Sequence, residues 1–111
     1  MDLTPKMITI DCSEPRKLAE WWATVLGVDI AQDHGEFVIL GAQPLALGFQ
    51  RVPEGKQVKN RVHVDFAAPD RAAEVARLVG LGATVVAEQA VPGLAWVTLQ
   101  DPDGNEFCVS G

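Results

Sequence analysis

With 111 residues, 48% of them hydrophobic and 22% charged, the chain is long enough for one domain with a real core and too short for two independent ones. A formal charge of −6 leaves nothing to offset phosphate repulsion and excludes a nucleic-acid partner. No apolar run reaches the roughly 18 residues of a membrane span, and the N-terminus lacks the basic-then-apolar pattern of a signal peptide, so a cytoplasmic protein is expected.

The first alternating stretch is Met7-Ile-Thr-Ile-Asp11, with Ile8 and Ile10 on one face and Met7, Thr9 and Asp11 on the other. A helix start follows: Ser13 is the expected N-cap, Glu14 suits the positive end of the dipole, and Pro15 fits the first turn. Leu18, Trp21, Trp22, Val25 and Leu26 then form an amphipathic stripe that Gly27 closes. Extended pieces come next, at Val28–Gln32, Glu36–Leu40 and Leu45–Gln50, with turns at Asp33-His34-Gly35 and at Gly41–Pro44. His34 reads as a solvated turn residue.

Arg51–Asn60 has no apolar period and contains Pro53 and Gly55, so it reads as a connector. The pattern then begins again. Arg61-Val-His-Val-Asp-Phe66 alternates, Val62, Val64 and Phe66 against His63 and Asp65, which predicts one packed face and one facing a cavity. Asp70 caps a second helix whose expected stripe is Ala72, Val75, Ala76 and Val79, joined by Leu78, and Gly82 ends it. Ala83–Glu88, Ala95–Gln100 and Glu106–Ser110 are extended, with turns at Val91-Pro-Gly93 and Asp101-Pro-Asp-Gly104. Gly27 and Gly82 lie about half a chain apart, and the βαβββ order occurs twice: an internal duplication. One domain over residues 1–111 is expected, with module one at about 6–50, the connector at 51–60 and module two at 61–111.

The helix Leu18-Ala-Glu-Trp-Trp-Ala-Thr-Val-Leu-Gly27, the strand Val62-His-Val-Asp65, the run Leu81-Gly-Ala83 and Asp101-Pro-Asp-Gly-Asn-Glu-Phe107 carry a resemblance to the vicinal-oxygen-chelate superfamily. That superfamily includes glyoxalase I, bleomycin-resistance proteins and extradiol dioxygenases, and the chain looks most like its small glyoxalase-like members. The resemblance implies an α+β fold in which two βαβββ modules form a curved eight-stranded mixed sheet around a cavity, with the helices outside. It also implies a homodimer and a small-molecule ligand.

The superfamily's enzymes hold a divalent metal with ligands from the first and last strands of each module. By this resemblance the four positions fall on Met7, within Leu45–Gln50, on His63 and on Cys108. Only His63 stands unchanged, and Cys108 is a soft substitute for the usual carboxylate. A catalytic site needs about three suitable protein ligands; Asp11, Asp65 and Glu106 fall off the implied positions, so no metal and no cofactor are expected. Cys12 reads as an inert buried thiol, and two separate thiols suit a reduced compartment.

His63 and Asp65 are the expected catalytic or ligand-orienting pair, because an imidazole titrates near neutral pH and a carboxylate beside it fixes its tautomer. Thr9, Asp11, Phe49, Trp96, Glu106 and Cys108 are the expected ligand-binding residues. Trp96 shares a strand face with Thr98, and a cavity-facing Trp96 is a platform for a flat ligand. Trp21 and Trp22 read as core. Arg51, Lys56, Lys59 and Arg61 make the connector basic, a solvated loop or a lid over an anion. The expected function is small-molecule binding of the glyoxalase and bleomycin-resistance type, without an intact metal site. The alternative is a metal-dependent lyase, isomerase or dioxygenase that uses His63 as ligand or base.

Overall fold

The computed structural model describes residues 2–111. In chain order its elements are β1 (Met7–Cys12), α1 (Pro15–Leu26), β2 (Ile30–Asp33), β3 (Phe37–Leu40), β4 (Ala46–Arg51), β5 (Val64–Ala67), α2 (Arg71–Gly80), β6 (Thr84–Val91), β7 (Leu94–Gln100) and β8 (Glu106–Ser110). The fold is α+β, and one order of elements occurs twice. Each run forms its own four-stranded mixed sheet, β1-β4-β3-β2 in the first and β5-β8-β7-β6 in the second. The first strand of each pairs in parallel with the fourth, and the other pairs are antiparallel. The chain divides into two compact units, the first ending at Gly55 and the second beginning at Lys56.

In the first unit the helix cap is displaced from Ser13. Proline forces the residue before it into extended backbone, so Glu14 takes the cap position at φ −132° and ψ 88°, without a side-chain cap hydrogen bond. Gly27 closes α1 in the left-handed region at φ 65°, its N–H donating to Ala23 O, as the sequence predicts. The α1 stripe buries Leu18, Ala19 and Trp22, and the helix lies against β3 and β4. Val38, Leu40, Leu47 and Phe49 are buried on alternate positions of those strands. Full burial of such side chains contributes about 1.5–3 kcal/mol each. The opposite face carries Met7, Thr9 and Asp11 in register with Ala46, Gly48 and Gln50.

The second unit buries Val97, Leu99, Phe107 and Val109 with Leu78 of α2. Phe66 and Phe107 meet edge to face, 6.0 Å between ring centroids. Asp70 caps α2 as expected, accepting from Ala73 N at 3.1 Å. The helix is rotated from the expected stripe, however: Ala72, Ala76 and Val79 are exposed, while Arg71, Glu74, Val75 and Leu78 turn inward. Arg71 explains the difference, since its Nη1 donates to Ala95 O at 3.3 Å and to Gly111 O at 3.0 Å. Two carbonyl acceptors hold a cation at a position that apolarity alone would not choose.

Residues 61–63 precede β5, so Val62 is 78% exposed and does not join the packed face, whereas Val64 and Phe66 are half-buried. The expected connector is also divided. Arg51 completes β4, and Lys56–Asn60 is tied to β8, as described below. The turn at Asp101–Gly104 forms as predicted: buried Asp101 accepts from Asp103 N at 2.9 Å and Asn105 N at 3.0 Å, with Gly104 at φ 87°. No helix among the described residues is long and apolar enough to cross a membrane.

Candidate functional site

Period-two alternation divides the second sheet into two faces. Val64, Phe66, Val97, Leu99, Phe107 and Val109 take the packed one. Asp65, Trp96, Thr98, Cys108 and Ser110 take the other, in register across β5, β8 and β7: Asp65 opposite Cys108, Cys108 opposite Thr98, and Trp96 opposite Ser110. His63, just before β5, keeps the same parity. These residues line a hollow of about 400 Å³, completed by Lys59, Gln89 and Leu94.

The polar groups of this hollow are linked to one another. His63 Nδ1 lies 2.8 Å from Asp65 Oδ1 and 3.9 Å from Cys108 Sγ. Thr98 Oγ1 lies 3.4 Å from the same sulfur. The His63 and Asp65 side chains are 36% and 66% exposed, while Cys108 is buried at the floor. An imidazole and a carboxylate at the rim above a buried thiol can accept or donate protons, orient a polar ligand, or hold a cation. Trp96 contributes an aromatic wall to the same space.

Glu106 has a different task. It is buried at 8% exposure, and its carboxylate accepts from Asn60 N at 3.0 Å and from Lys56 Nζ at 3.3 Å. Asn60 Nδ2 also donates to Glu106 O at 3.4 Å. Burial alone would push the Glu106 carboxyl up, but the Asn60 N–H and the Lys56 ammonium outweigh it and hold it below the usual glutamate value. Lys56 also donates to Val58 O. Glu106 therefore anchors the segment that brings Lys59 to the rim.

The remaining expected residues lie in the first unit. Phe49 is fully buried on the face that α1 packs against, so it belongs to the core and not to an open surface. Thr9 and Asp11 are exposed on β1, on the face opposite that core. Cys12 is buried, its thiol donating to Gln50 O at 3.7 Å, which agrees with an inert thiol. His34 sits in an exposed turn with Nε2 at 2.9 Å from Gln32 Oε1. Of the basic connector, Arg51 pairs with Glu36 at 3.3 Å and Lys56 with Glu106 at 3.2 Å.

Ser110 and Gln89 are lining residues that the sequence reading missed. A signal for each existed: Ser110 has the parity of Cys108, and Gln89 is the register partner of Trp96. Neither could be weighed before the strand pairing was known.

The four-ligand metal set that the resemblance implies does not fit. In the first unit a Cβ built on Gly48 would lie 2.9 Å from the Phe37 ring tip and 3.1 Å from Met7 Sδ, so the thioether and ring fill the space over β4. Ala46 and Gly48 offer no donor there, Gln50 offers only a neutral amide oxygen, and a thioether is a poor ligand for a hard or borderline divalent ion.

The chain matches the Glyoxalase-like domain family over residues 7–110 and belongs to that family. Among solved structures it is similar to a fosfomycin resistance protein, FosX, from Listeria monocytogenes, solved with Mn(II) and a dihydroxypropylphosphonic acid. That match has a TM-score of 0.81 at 14% identity and covers 99% of this chain and 90% of that one. It is similar also to a glyoxalase/bleomycin resistance protein/dioxygenase family enzyme from Burkholderia phytofirmans, with a TM-score of 0.77 at 17% identity, covering 95% of each chain. A lactoylglutathione lyase from Agrobacterium tumefaciens gives 0.74 at 18% identity, over 96% of this chain and 92% of that one. No curated protein matches the chain. At these identities the likeness is one of fold.

Proposed function

We propose that this protein binds a small molecule in the hollow of its second module, in the manner of glyoxalase and bleomycin-resistance proteins. The observation that carries the reading is the lining itself: about 400 Å³ bounded by Trp96, Thr98, Ser110, His63 and Asp65. Ligand sites of roughly 300–1,000 Å³ combine an apolar or aromatic wall with a few convergent polar groups. Trp96 is the stacking wall, and His63 with Asp65 orients the ligand's polar end. Lys59 at the rim favours an anionic group there, since it has no acidic partner among the described residues.

The protein works as a homodimer in the cytoplasm. Support for the dimer comes from exposed apolar side chains of the second module, where Val79, Val85 and Val86 are 47%, 41% and 52% exposed. A second reading, a lyase, isomerase or dioxygenase using His63 as base or ligand, has its support in the 2.8 Å contact of His63 with Asp65.

The test is a screen of flat aromatic acids and their amides, followed by the Trp96 indole resonance in labelled protein. Shifts that saturate, and that weaken in His63→Ala, sustain the binding reading. If no compound moves that resonance at millimolar concentration, the reading fails. Product formed by the wild type and abolished in His63→Ala would favour the enzyme.

A further inference from the structure

We propose that Glu106 is a positioning residue that sets the charge preference of the hollow. By pinning both ends of Lys56–Asn60 it holds Lys59 at the rim, so that an anionic ligand is taken in preference to its neutral counterpart. This rests on the small-molecule reading above and adds to it the residue that governs selectivity.

Glu106 has the parity of Cys108 and Ser110, so its side chain leaves β8 on the side of the hollow. One carboxylate takes both ends of a single short segment. Asn60 N donates to Oε2 at 3.0 Å, and Lys56 Nζ lies 3.3 Å from Oε1 and 3.2 Å from Oε2. Asn60 Nδ2 donates in turn to Glu106 O at 3.4 Å. The Lys56 stem lies over the Asp101–Gly104 turn, where a Cβ built on Gly104 would meet Lys56 Cγ at 3.5 Å. Lys56 also donates to Val58 O. The segment is therefore closed on β8 and on the turn before any ligand arrives.

Lys59 stands between the pinned ends and is the only Lys or Arg lining the hollow, as Asp65 is the only carboxylate. Asp65 is engaged with His63 at 2.8 Å, which leaves the Lys59 charge to the ligand. A lysine on a free loop has to be ordered when the ligand binds, and that ordering subtracts from affinity. Where folding has already fixed the backbone, more of the ion-pair contact appears as selectivity.

Charge alone points the other way. Glu106 is itself an anion near the rim, and by Coulomb's law its removal would favour an anionic ligand. Loss of this carboxylate weakens anion binding only if it acts through the placing of Lys59. The direction of one change in affinity therefore separates positioning from simple electrostatics.

The test titrates the full chain with naphthalene carboxylate and with its carboxamide, and reads the ratio of the two affinities. The wild type should prefer the acid by about fivefold, the upper worth of a partly exposed ion pair. Lys59→Gln should bring the ratio close to one, and Glu106→Gln should lower it by about three- to fivefold. The double variant should fall no further than Lys59→Gln alone, because the two residues act as one unit. Circular dichroism checks the fold of each variant. A second readout needs no substitution: in the wild type the Asn60 amide should exchange about tenfold or more slowly than in the unfolded chain. Equal affinities for acid and amide, a ratio that holds or rises in folded Glu106→Gln, additive losses in the double variant, or an unprotected Asn60 amide would each overturn the proposal. All four outcomes leave small-molecule binding standing, whereas a wild type that binds neither probe at millimolar concentration fails both readings.

Discussion

The Glu106 carboxylate on β8 accepts the backbone N–H of Asn60 at 3.0 Å, so a buried acid holds the chain that leads into the second module. The Lys56 ammonium, 3.2 Å away and only 20% exposed, completes the anchor. What the sequence presents as a loose basic connector is, in its second half, tied down at the rim of the hollow.

Glu106→Gln keeps an acceptor for Asn60 but leaves Lys56 without its counter-charge. Hydrogen bonds to charged groups contribute about 1.5–3 kcal/mol, and a loss of about 2 kcal/mol is expected in chemical denaturation. The Glu106 carboxyl is held below its ordinary value in the folded chain, so the unfolded chain binds the proton more readily. Its stabilisation is present above the unfolded glutamate value and is lost as pH falls through the lower folded value. The wild type should therefore lose stability on acidification more steeply than Glu106→Gln. Equal acid sensitivity of the two chains would contradict the anchor.

His63→Ala should weaken ligand binding while leaving the melting temperature nearly unchanged, because the imidazole is 36% exposed and its one short contact is with a still more exposed carboxylate. Trp96→Leu should weaken binding of flat ligands by about 1–3 kcal/mol, the usual worth of aromatic stacking. Calorimetric titration and thermal unfolding separate the two effects. A large drop in melting temperature with intact binding would make His63 structural.

Asp101→Ala removes the acceptor for two backbone N–H groups, those of Asp103 and Asn105, in a turn where the side chain is 4% exposed. A cost of about 2–3 kcal/mol is expected for two donors left without a partner. Gly104→Ala should cost about 1–2 kcal/mol, since the residue sits at φ 87° and a side chain is strained there. Denaturant midpoints measure both, and an unchanged midpoint in Asp101→Ala would refute the account of the turn.

Arg71→Ala should destabilise the second module by about 1 kcal/mol through loss of its hydrogen bonds to Ala95 O and Gly111 O. Hydrogen exchange should quicken most at the start of α2 and along β7. Faster exchange confined to β6 would argue against it.

Legibility followed the range of the signals. Helix α1, its glycine stop and the turn at Asp101–Gly104 were readable because proline, glycine and aspartate act on their own backbone and the few residues after it. Cap assignment missed by one residue, since the constraint of Pro15 on Glu14 outweighs the capping preference of Ser13. The α2 stripe was misread because Arg71 is held inward by carbonyls from β7 and the C-terminal residue, which are remote in sequence. Phe49 looked like a ligand contact, and its burial against α1 was invisible until β4 had neighbours.

By itself the sequence determined the repeated order of elements and the alternation that sets His63 and Asp65 on the face opposite Val64 and Phe66. Those properties come from periodicity and from local backbone chemistry, which need no partner strand. Only the tertiary structure decided that β5 lies beside β8 in a register that sets Asp65 against Cys108, and that Glu106 is bonded to Lys56 and Asn60 of the connector. Register is a pairing between segments some forty residues apart, set by how both pack on a common core, and no single segment contains it.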